Sequence, residues 1–314
     1  MNAVPTTRLA PSPTGGLHLG NARTFVANWA LARQHGGKVL MRIEDVAPTS
    51  TTTTWQDDVL GILQWLGLDW DGPALIQSAE LPPHQAALDQ LAAQGLVFPC
   101  SKTRKDLLLV TAPQEGDFEA RYAPELRPEL PWPTDLDHAP PGLNWRVKTS
   151  PGEIHFTDEF AGPQCFDPHL EVGDFILWTK RGQPSYQLAC VVDDHRTGVN
   201  MVFRGDDLLS STARQIMLSK LLGWQSPRWW HVPLVLDEQG ERLAKRNKSI
   251  RLTELRDAGV QPAAILRLLA KWCGHVAPQD ITNIHDFLDG FSIDRMPRTP
   301  VRCVQKDLEA FKQP

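Results

Sequence analysis

Residues 8–21 read Arg-Leu-Ala-Pro-Ser-Pro-Thr-Gly-Gly-Leu-His-Leu-Gly-Asn, a turn rich in glycine and proline that runs into a segment of helical spacing. Such a turn at a helix N-terminus cradles phosphate, because unpaired backbone N–H groups and the helix dipole both favour anions. Gly15, Gly16 and Gly20 allow close approach of backbone or nucleotide. His18 stands just before the helix body, where its imidazole can face a phosphate that is gaining charge; alone, it would be an ordinary capping residue. A second string, Arg242-Leu243-Ala244-Lys245-Arg246, follows the apolar run 231–237 and a Glu-Gln-Gly turn. A basic loop of this kind can clamp a triphosphate and stabilise charge in phosphoryl or adenylyl transfer. Read alone, it is equally a solvated surface run. Arg8, Glu44, Tyr186 and Arg204 complete the chemically capable set, each near the end of a strand-like run. Carboxylates and guanidiniums there either face a ligand crevice or pair with one another.

The elements that must position these residues are legible from periodicity. Residues 6–10 suit a strand, 22–36 a helix stopped by Gly36-Gly37, and 38–45 (KVLMRIED) a buried strand ending in two carboxylates. This is a βαβ unit, and it predicts an α/β fold with a doubly wound parallel sheet whose ligands bind at the carboxyl ends of the strands. Residues 55–66 and 83–95 read as helices. From about 98 to 175 the pattern breaks into proline-rich stretches and short alternating runs such as LNWRVKT and GEIHF, which predicts an inserted α+β subdomain. The α/β pattern resumes with 174–205, read as three strand-like runs, and then a helix with Ser210 or Ser211 as its N-cap. A turn at Gly240, a basic loop and helical spacing over 251–274 follow. The expected organisation is 1–97 and 176–240 as halves of the catalytic domain, 98–175 as the insert, and 241–314 as the basic loop with a short C-terminal helical segment.

Composition narrows the class. The chain has 314 residues, 41% hydrophobic and 22% charged, with a net charge of −5, as expected of a globular protein not coated in positive charge. No apolar run approaches the roughly 18 residues that span a bilayer, and residues 1–13 lack the basic-then-apolar pattern of a secretory signal. The five cysteines, at 100, 165, 190, 273 and 303, form no CxxC or CxC pair, so neither a disulfide framework nor a cysteine-built zinc site is expected, and a cytoplasmic setting is. Trp229-Trp230 could stack RNA bases, though packing is the commoner use of such a pair.

The string from Arg8 to Asn21 resembles the HIGH-containing segment of class I aminoacyl-tRNA synthetases in its glutamyl form, with His18-Leu19-Gly20-Asn21 at the HIGH position. Arg242 to Arg246 resembles their KMSKS loop, with Arg242 for the first Lys and Ala244 for Ser, and Lys245 retained. The resemblance covers roughly residues 5–255 and implies a Rossmann-like catalytic fold. It also implies ATP with Mg2+, L-glutamate and a tRNA as ligands. It carries over His18 and Lys245 as catalytic residues. Arg8, Ala10, Ser12, Glu44, Tyr186 and Arg204 would contact glutamate. Pro13, Thr14, Gly15, His18, Gly20, Asn21, Arg242 and Lys245 would contact ATP.

Within that class the chain resembles the glutamyl-Q tRNA(Asp) synthetase family, since the stretch after the second motif is too short for the helical anticodon-binding region of charging enzymes. That resemblance implies tRNA-independent activation of glutamate and its transfer to queuosine in the anticodon of tRNA(Asp), by a monomer. Members often hold zinc with a Cys-x-Cys pair, a later Tyr and a Cys. Here those positions read Cys100-Ser101-Lys102 and Tyr122 to Leu126, so zinc is expected to be absent, with Lys102 as a surrogate charge. Two alternatives stay open: a shortened enzyme charging tRNA(Glu), and a non-catalytic RNA-binding paralogue.

Overall fold

The computed structural model describes residues 4–12, 16–46, 53–102, 121–138, 141–241, 243, 251–309 and 311. β1 (Thr6–Leu9), α1 (Leu19–Gln34) and β2 (Lys38–Ile43) form the expected βαβ unit, with β1 and β2 parallel from Thr6↔Lys38 to Leu9↔Met41. α2 (Thr53–Trp65) brings the chain to β3 (Leu75–Ile76), which pairs in parallel with the end of β2. After α3 (Pro82–Ala93), β4 (Val97–Cys100) and β5 (Asn144–Val147) enter a separate antiparallel sheet. β6 (Ile154–Asp158) and β7 (Gly162–Phe166) form a hairpin of their own. The short α4 (Pro168–Glu171) leads to β8 (Ile176–Thr179) and β9 (Gln183–Pro184), which complete the antiparallel sheet in the order β4-β5-β8-β9.

The parallel architecture returns with α5 (Tyr186–Arg196), β10 (Met201–Gly205), α6 (Leu209–Leu222) and β11 (Arg228–Val232). β10 and β11 are parallel, and Arg204 is the register partner of His231. β10 starts beside β1: the Asn200 backbone N–H donates to Thr6 O at 3.0 Å, and the Thr6 N–H donates to the Asn200 side chain at 2.8 Å. The chain winds outward from this seam in both directions, which makes it the switch point where a doubly wound sheet opens a ligand crevice. β12 (Val235–Leu236) precedes the basic stretch. α7 (Leu252–Asp257), α8 (Pro262–Trp272) and α9 (Ile284–Gly290) follow, and β13 (Val301–Arg302) returns to pair in parallel with β12 before α10 (Gln305–Glu309).

The main core explains why α1 lies so close to the sheet. Ala22, Ala27, Ala30 and Ala32 are fully buried and pack with Leu9, Val39, Met41 and Ile43 of the strands and with Ile265 and Leu269 of α8. Small side chains let the helix approach, and buried β-branched and aliphatic strands suit a parallel sheet covered on both faces. A second core joins α3 to the antiparallel sheet and to α5 and α6, through Leu88, Leu91, Trp145, Leu177, Leu188 and Leu218.

Two local expectations are corrected. Residues 186–196 (YQLACVVDDHR), read as strand, form helix α5. Ser185 caps it by accepting the Leu188 N–H, and its apolar run is continuous because the helix is buried between sheet and α6. Continuous apolar runs of this length do not separate buried strand from buried helix. Ser210 and Ser211 are not the N-cap of α6. The helix starts at Leu209, directly from a 3-10 turn over Asp206–Leu208, so both serines lie inside its first turn. The turn at Gly240 is present, with φ of +86° and the Gly240 N–H donating to Asp237 O at 3.1 Å. Trp229 is buried in a small core with Val199 and Val202, the packing use of that residue.

Candidate active site

A cleft of about 610 Å³ opens at the carboxyl ends of β1, β2 and β10, at the seam between the two halves of the sheet. Every described residue of the expected site borders it: Arg8, Ala10 and Ser12 from the end of β1; His18, Gly20 and Asn21 from the start of α1; Glu44, Tyr186 and Arg204 from the end of β2, the start of α5 and β10. Pro13, Thr14, Gly15, Arg242 and Lys245 lie outside the described residues.

His18 is the N-cap of α1. Its Nδ1 accepts the Asn21 N–H at 3.4 Å, while the Asn21 side chain receives the His18 N–H in return. With Nδ1 as acceptor, the neutral ring carries its proton on Nε2, which makes the far edge of the ring a donor. Gly20 leaves room for this fold-back: a Cβ there would meet the imidazole at 3.2 Å, so the ring would have to shift. Gly16 likewise leaves room for the Arg251 stem, which a Cβ would meet at 3.2 Å. Arg251 forms an isolated bridge with His18, and Leu252 N–H donates to Leu17 O at 2.9 Å. Leu243, which borders the cleft, is tied to Val235 O at 3.1 Å. The two described flanks of the basic stretch are thus anchored beside the glycine-rich turn.

At the other end of the cleft, four charged side chains form a buried network. Asp194 of α5 accepts from Arg8 Nε at 3.2 Å and also from Arg42 Nη1. Arg42 donates in turn to Glu44 Oε1 from Nη2 at 2.8 Å and from Nε at 3.2 Å, and the Cys190 thiol lies 3.5 Å from the same oxygen. Burial alone would lower the Arg42 pKa, but Asp194 and Glu44 outweigh it and hold the guanidinium charged. Arg8 and Glu44 therefore present opposite charges to one cavity, fixed by partners behind them. Asp45, the second carboxylate of the strand end, has a different job: it accepts from Ser78 N–H at 2.8 Å and Ser78 Oγ at 2.6 Å, tying β2 to the following turn.

Arg204 is held on several sides. Its Nε donates to His231 Nε2 at 3.0 Å and its Nη2 to Thr212 Oγ1 at 2.7 Å, it lies 5.0 Å from the Trp229 ring centroid, and its Nη1 faces the Tyr186 hydroxyl at 3.5 Å. Sequence reading missed these supports, as it missed Asp194 and Arg42. It also missed the apolar lining from Phe25, Phe203, Leu208 and Leu234. Asp207 also borders the cleft, while the Asp206 carboxyl is pushed up, first by burial and then by Asp207 beside it.

A cleft with buried charges at the strand ends of a parallel α/β sheet is consistent with the comparisons with known proteins. The family model for tRNA synthetases class I (E and Q), catalytic domain, matches residues 5–310. The chain belongs to this family. It is 42% identical over 309 residues to the glutamyl-Q tRNA(Asp) synthetase of Nitratidesulfovibrio vulgaris, covering 95% of this chain and 90% of that protein. It is 38% identical to the glutamyl-Q tRNA(Asp) synthetase of Symbiobacterium thermophilum, covering 97% of each. It is 36% identical to the glutamate–tRNA ligase of Azorhizobium caulinodans, covering 96% of this chain but 64% of that enzyme. The crystal structure of a glutamate tRNA ligase from Elizabethkingia meningosepticum superposes with a TM-score of 0.80 at 22% identity, over 98% of this chain and 68% of that one, which shows the shared fold. As a member of this class I family the protein is a ligase-type enzyme on a Rossmann-like scaffold.

The four positions at which the resemblance would put zinc ligands lie together. Cys100 Sγ is 3.5 Å from the Tyr122 hydroxyl and 4.0 Å from Lys102 O, and the Tyr122 hydroxyl donates to Leu126 O at 2.6 Å. Burial, followed by Cys100, pushes the Tyr122 phenol above its ordinary range. A phenol that keeps its proton for a carbonyl, one thiol, a lysine and a leucine do not make a tetrahedral zinc set. Among the described residues, one group has metal-ligand spacing: the exposed Glu153, His155 and Cys165 on the β6–β7 hairpin, with ligand atoms within 4.8 Å of one another. No helix of the described residues is long and apolar enough to cross a membrane.

Proposed function

We propose that this protein activates L-glutamate with ATP in the absence of tRNA and then transfers the glutamyl group to queuosine in the anticodon of tRNA(Asp). The observation that carries the reading is the joining of Arg8, Glu44, Tyr186 and Arg204 to the His18 turn around one cleft. In the first step a glutamate carboxylate oxygen attacks the α-phosphorus of ATP, forming the acyl-phosphate bond and releasing pyrophosphate. In the second a hydroxyl of the modified base attacks the acyl carbon, AMP leaves, and the hydroxyl proton passes to solvent or to the departing phosphate. No protein nucleophile is used; positioning and fixed charge do the catalysis.

On this reading Glu44 faces the substrate ammonium, and Arg8, Arg204 and Tyr186 face its carboxylates. The Nε2 edge of His18 donates to the phosphates, joined by Asn21 and the amides of the glycine-rich turn. Arg242 and Lys245, by their place in the second motif, would contact the triphosphate, whose charge Mg2+ brought with ATP would partly neutralise. Residues 98–175 are the insert on the acceptor side, and the enzyme works as a monomer without zinc. The support for the queuosine step is the naming of relatives that align over nearly their whole length at 38% and 42% identity.

The test is pyrophosphate exchange with and without glutamate, followed by labelled-glutamate transfer to tRNA(Asp) that carries or lacks queuosine. Exchange without tRNA, and transfer that needs queuosine, is the expected result. Exchange that appears only with tRNA(Glu), which then becomes charged, would replace this reading with ordinary charging; no exchange under any condition would point to a non-catalytic paralogue.

A further inference from the structure

His231 contacts Arg204 from a position outside the lining of the cleft. The two residues are register partners on the parallel strands β10 and β11, so their side chains emerge side by side on one face of the sheet. The His231 side chain and that of Asp158 are both fully buried. Asp158 ends β6, and its Oδ1 accepts the backbone N–H groups of Phe160 at 3.0 Å, Ala161 at 2.7 Å and His231 at 3.1 Å. Its Oδ2 faces His231 Nδ1 at 2.6 Å. The carboxylate accepts only, so Nδ1 carries the proton. The Arg204 Nε–H donates only, so Nε2 carries the lone pair. Thr212 Oγ1 accepts from Arg204 Nη2 at 2.7 Å and lies 3.0 Å from His231 Nε2 and 3.2 Å from Leu208 O, so its single proton goes to one of these two acceptors.

We propose that His231 is a positioning residue for glutamate recognition: its neutral imidazole, oriented by Asp158 of the β6–β7 hairpin, holds Arg204 so that the outer edge of the guanidinium faces the cleft. This rests on the reading that Arg204 contacts glutamate. It makes the hairpin, which contributes no side chain to the lining of the cleft, part of the substrate site. Without an acceptor at Nε2, a buried Arg204 N–H loses its partner and the long side chain regains rotamer freedom.

The device is sensitive to acid. The charged groups facing His231 are Asp158 from β6, Arg204 from β10 and Asp207 from the 3-10 turn, with the neutral Thr212 from α6. Burial, then Arg204, lowers the His231 pKa against the opposing pull of Asp158. For Asp158, burial would raise the carboxyl, but the His231 hydrogen bond and the Ala161 N–H outweigh it and hold it below the ordinary range. Protonation of His231 would set two donors, Nε2–H and Nε–H, against each other.

Three isosteric substitutions test this. Asp158→Asn keeps Oδ1 on the backbone amides but turns an NH2 toward Nδ1. The imidazole must then move its proton to Nε2, and that proton points at Arg204. His231→Gln keeps an acceptor near the Nε2 position; His231→Asn keeps one only near Nδ1. Glutamate-dependent pyrophosphate exchange is measured from about pH 8 down to the lowest pH at which the protein stays folded, because burial puts the His231 titration below its ordinary range, with Arg204→Ala as reference and thermal unfolding as the fold control. The KM for glutamate is expected to rise roughly ten- to hundredfold in Asp158→Asn and His231→Asn with that for ATP little changed. It should stay near wild type in His231→Gln, and climb at acid pH in wild type but not in His231→Gln. Equal impairment of Gln and Asn variants, or a wild-type KM in Asp158→Asn, would overturn the proposal. Imidazole nitrogen NMR separates the two readings: an Nε2–H tautomer for His231 in the wild type sinks the relay. An Nδ1–H tautomer in a protein with no glutamate-dependent exchange sinks the assignment of the cleft and leaves the relay intact.

Discussion

Asp194 serves two guanidiniums, Arg8 and Arg42, and is itself buried. Replacing it by Asn removes the carboxylate that both share, while Arg42 keeps its pair with Glu44. Breaking a buried ion pair from one side costs roughly 3–5 kcal/mol. Asp194→Asn should therefore unfold at clearly lower urea, and whatever folds should bind glutamate weakly; unfolding at the wild-type midpoint would show that Arg8 does not depend on it. Lys245 is a different case, since its assignment comes from the motif alone. Lys245→Ala should lower the exchange rate by roughly a hundredfold or more while glutamate still protects the protein against heat, because the lost contact acts on the phosphates as charge develops. Full activity in that variant would remove the loop from the mechanism.

At the scale of elements, His18 and Gly20 stand at the start of α1, and α1 packs against the helices that follow the basic stretch. Leu269 of α8 is fully buried in the core that α1 enters through its alanines. Leu269→Ala should destabilise the protein by about 2–5 kcal/mol, read from urea unfolding. A loss under about 1 kcal/mol would mean that α8 does not brace the catalytic half. His275, just beyond α8, is buried with its ring centroid 4.4 Å from that of Phe287, and burial, then Arg295, lowers its pKa to about 4. The unfolded chain takes up that proton first as pH falls below about 6.5. Stability should therefore drop between about pH 6.5 and 4, by on the order of 3 kcal/mol from this residue, and become flat below. His275→Leu should flatten that part of the profile; an unchanged slope would assign the acid sensitivity elsewhere.

For the whole molecule, α5 ties the second core to the cleft: Leu188, Val191 and Val192 pack in that core, while its first residue, Tyr186, borders the cleft and its Asp194 anchors Arg8. The antiparallel sheet around Cys100 and Tyr122 is supported by packing of Phe98 on Tyr122 and Trp132, with ring centroids 5.8 and 5.0 Å apart. Arg127 adds a paired contact to Asp174 at 2.6 and 2.9 Å. Metal analysis of protein purified without chelator should give well under one zinc per chain, and chelation should leave the unfolding temperature unchanged. One tightly held zinc, lost together with stability on chelation, would show that the donor set has been misjudged.

The βαβ order and the family were legible in the residues themselves, because each rests on local rules: helical or alternating spacing, and a motif read in one stretch. The described residues that border the cleft could be named from the family resemblance, although Tyr186, expected at a strand end, opens a helix instead. Helix α5 was not, because a continuous apolar run has the same composition whether it is buried as helix or strand. Nor were the partners that aim the site. Asp194 reaches Arg8 across 186 residues of sequence and Asp158 reaches His231 across 73. Such pairs are set by strand register and by which face of a helix turns inward. Only when β10 lies against β11 does His231 stand beside Arg204, and only the assembled interior, with water excluded, turns an acid, an imidazole and a guanidinium into one oriented chain.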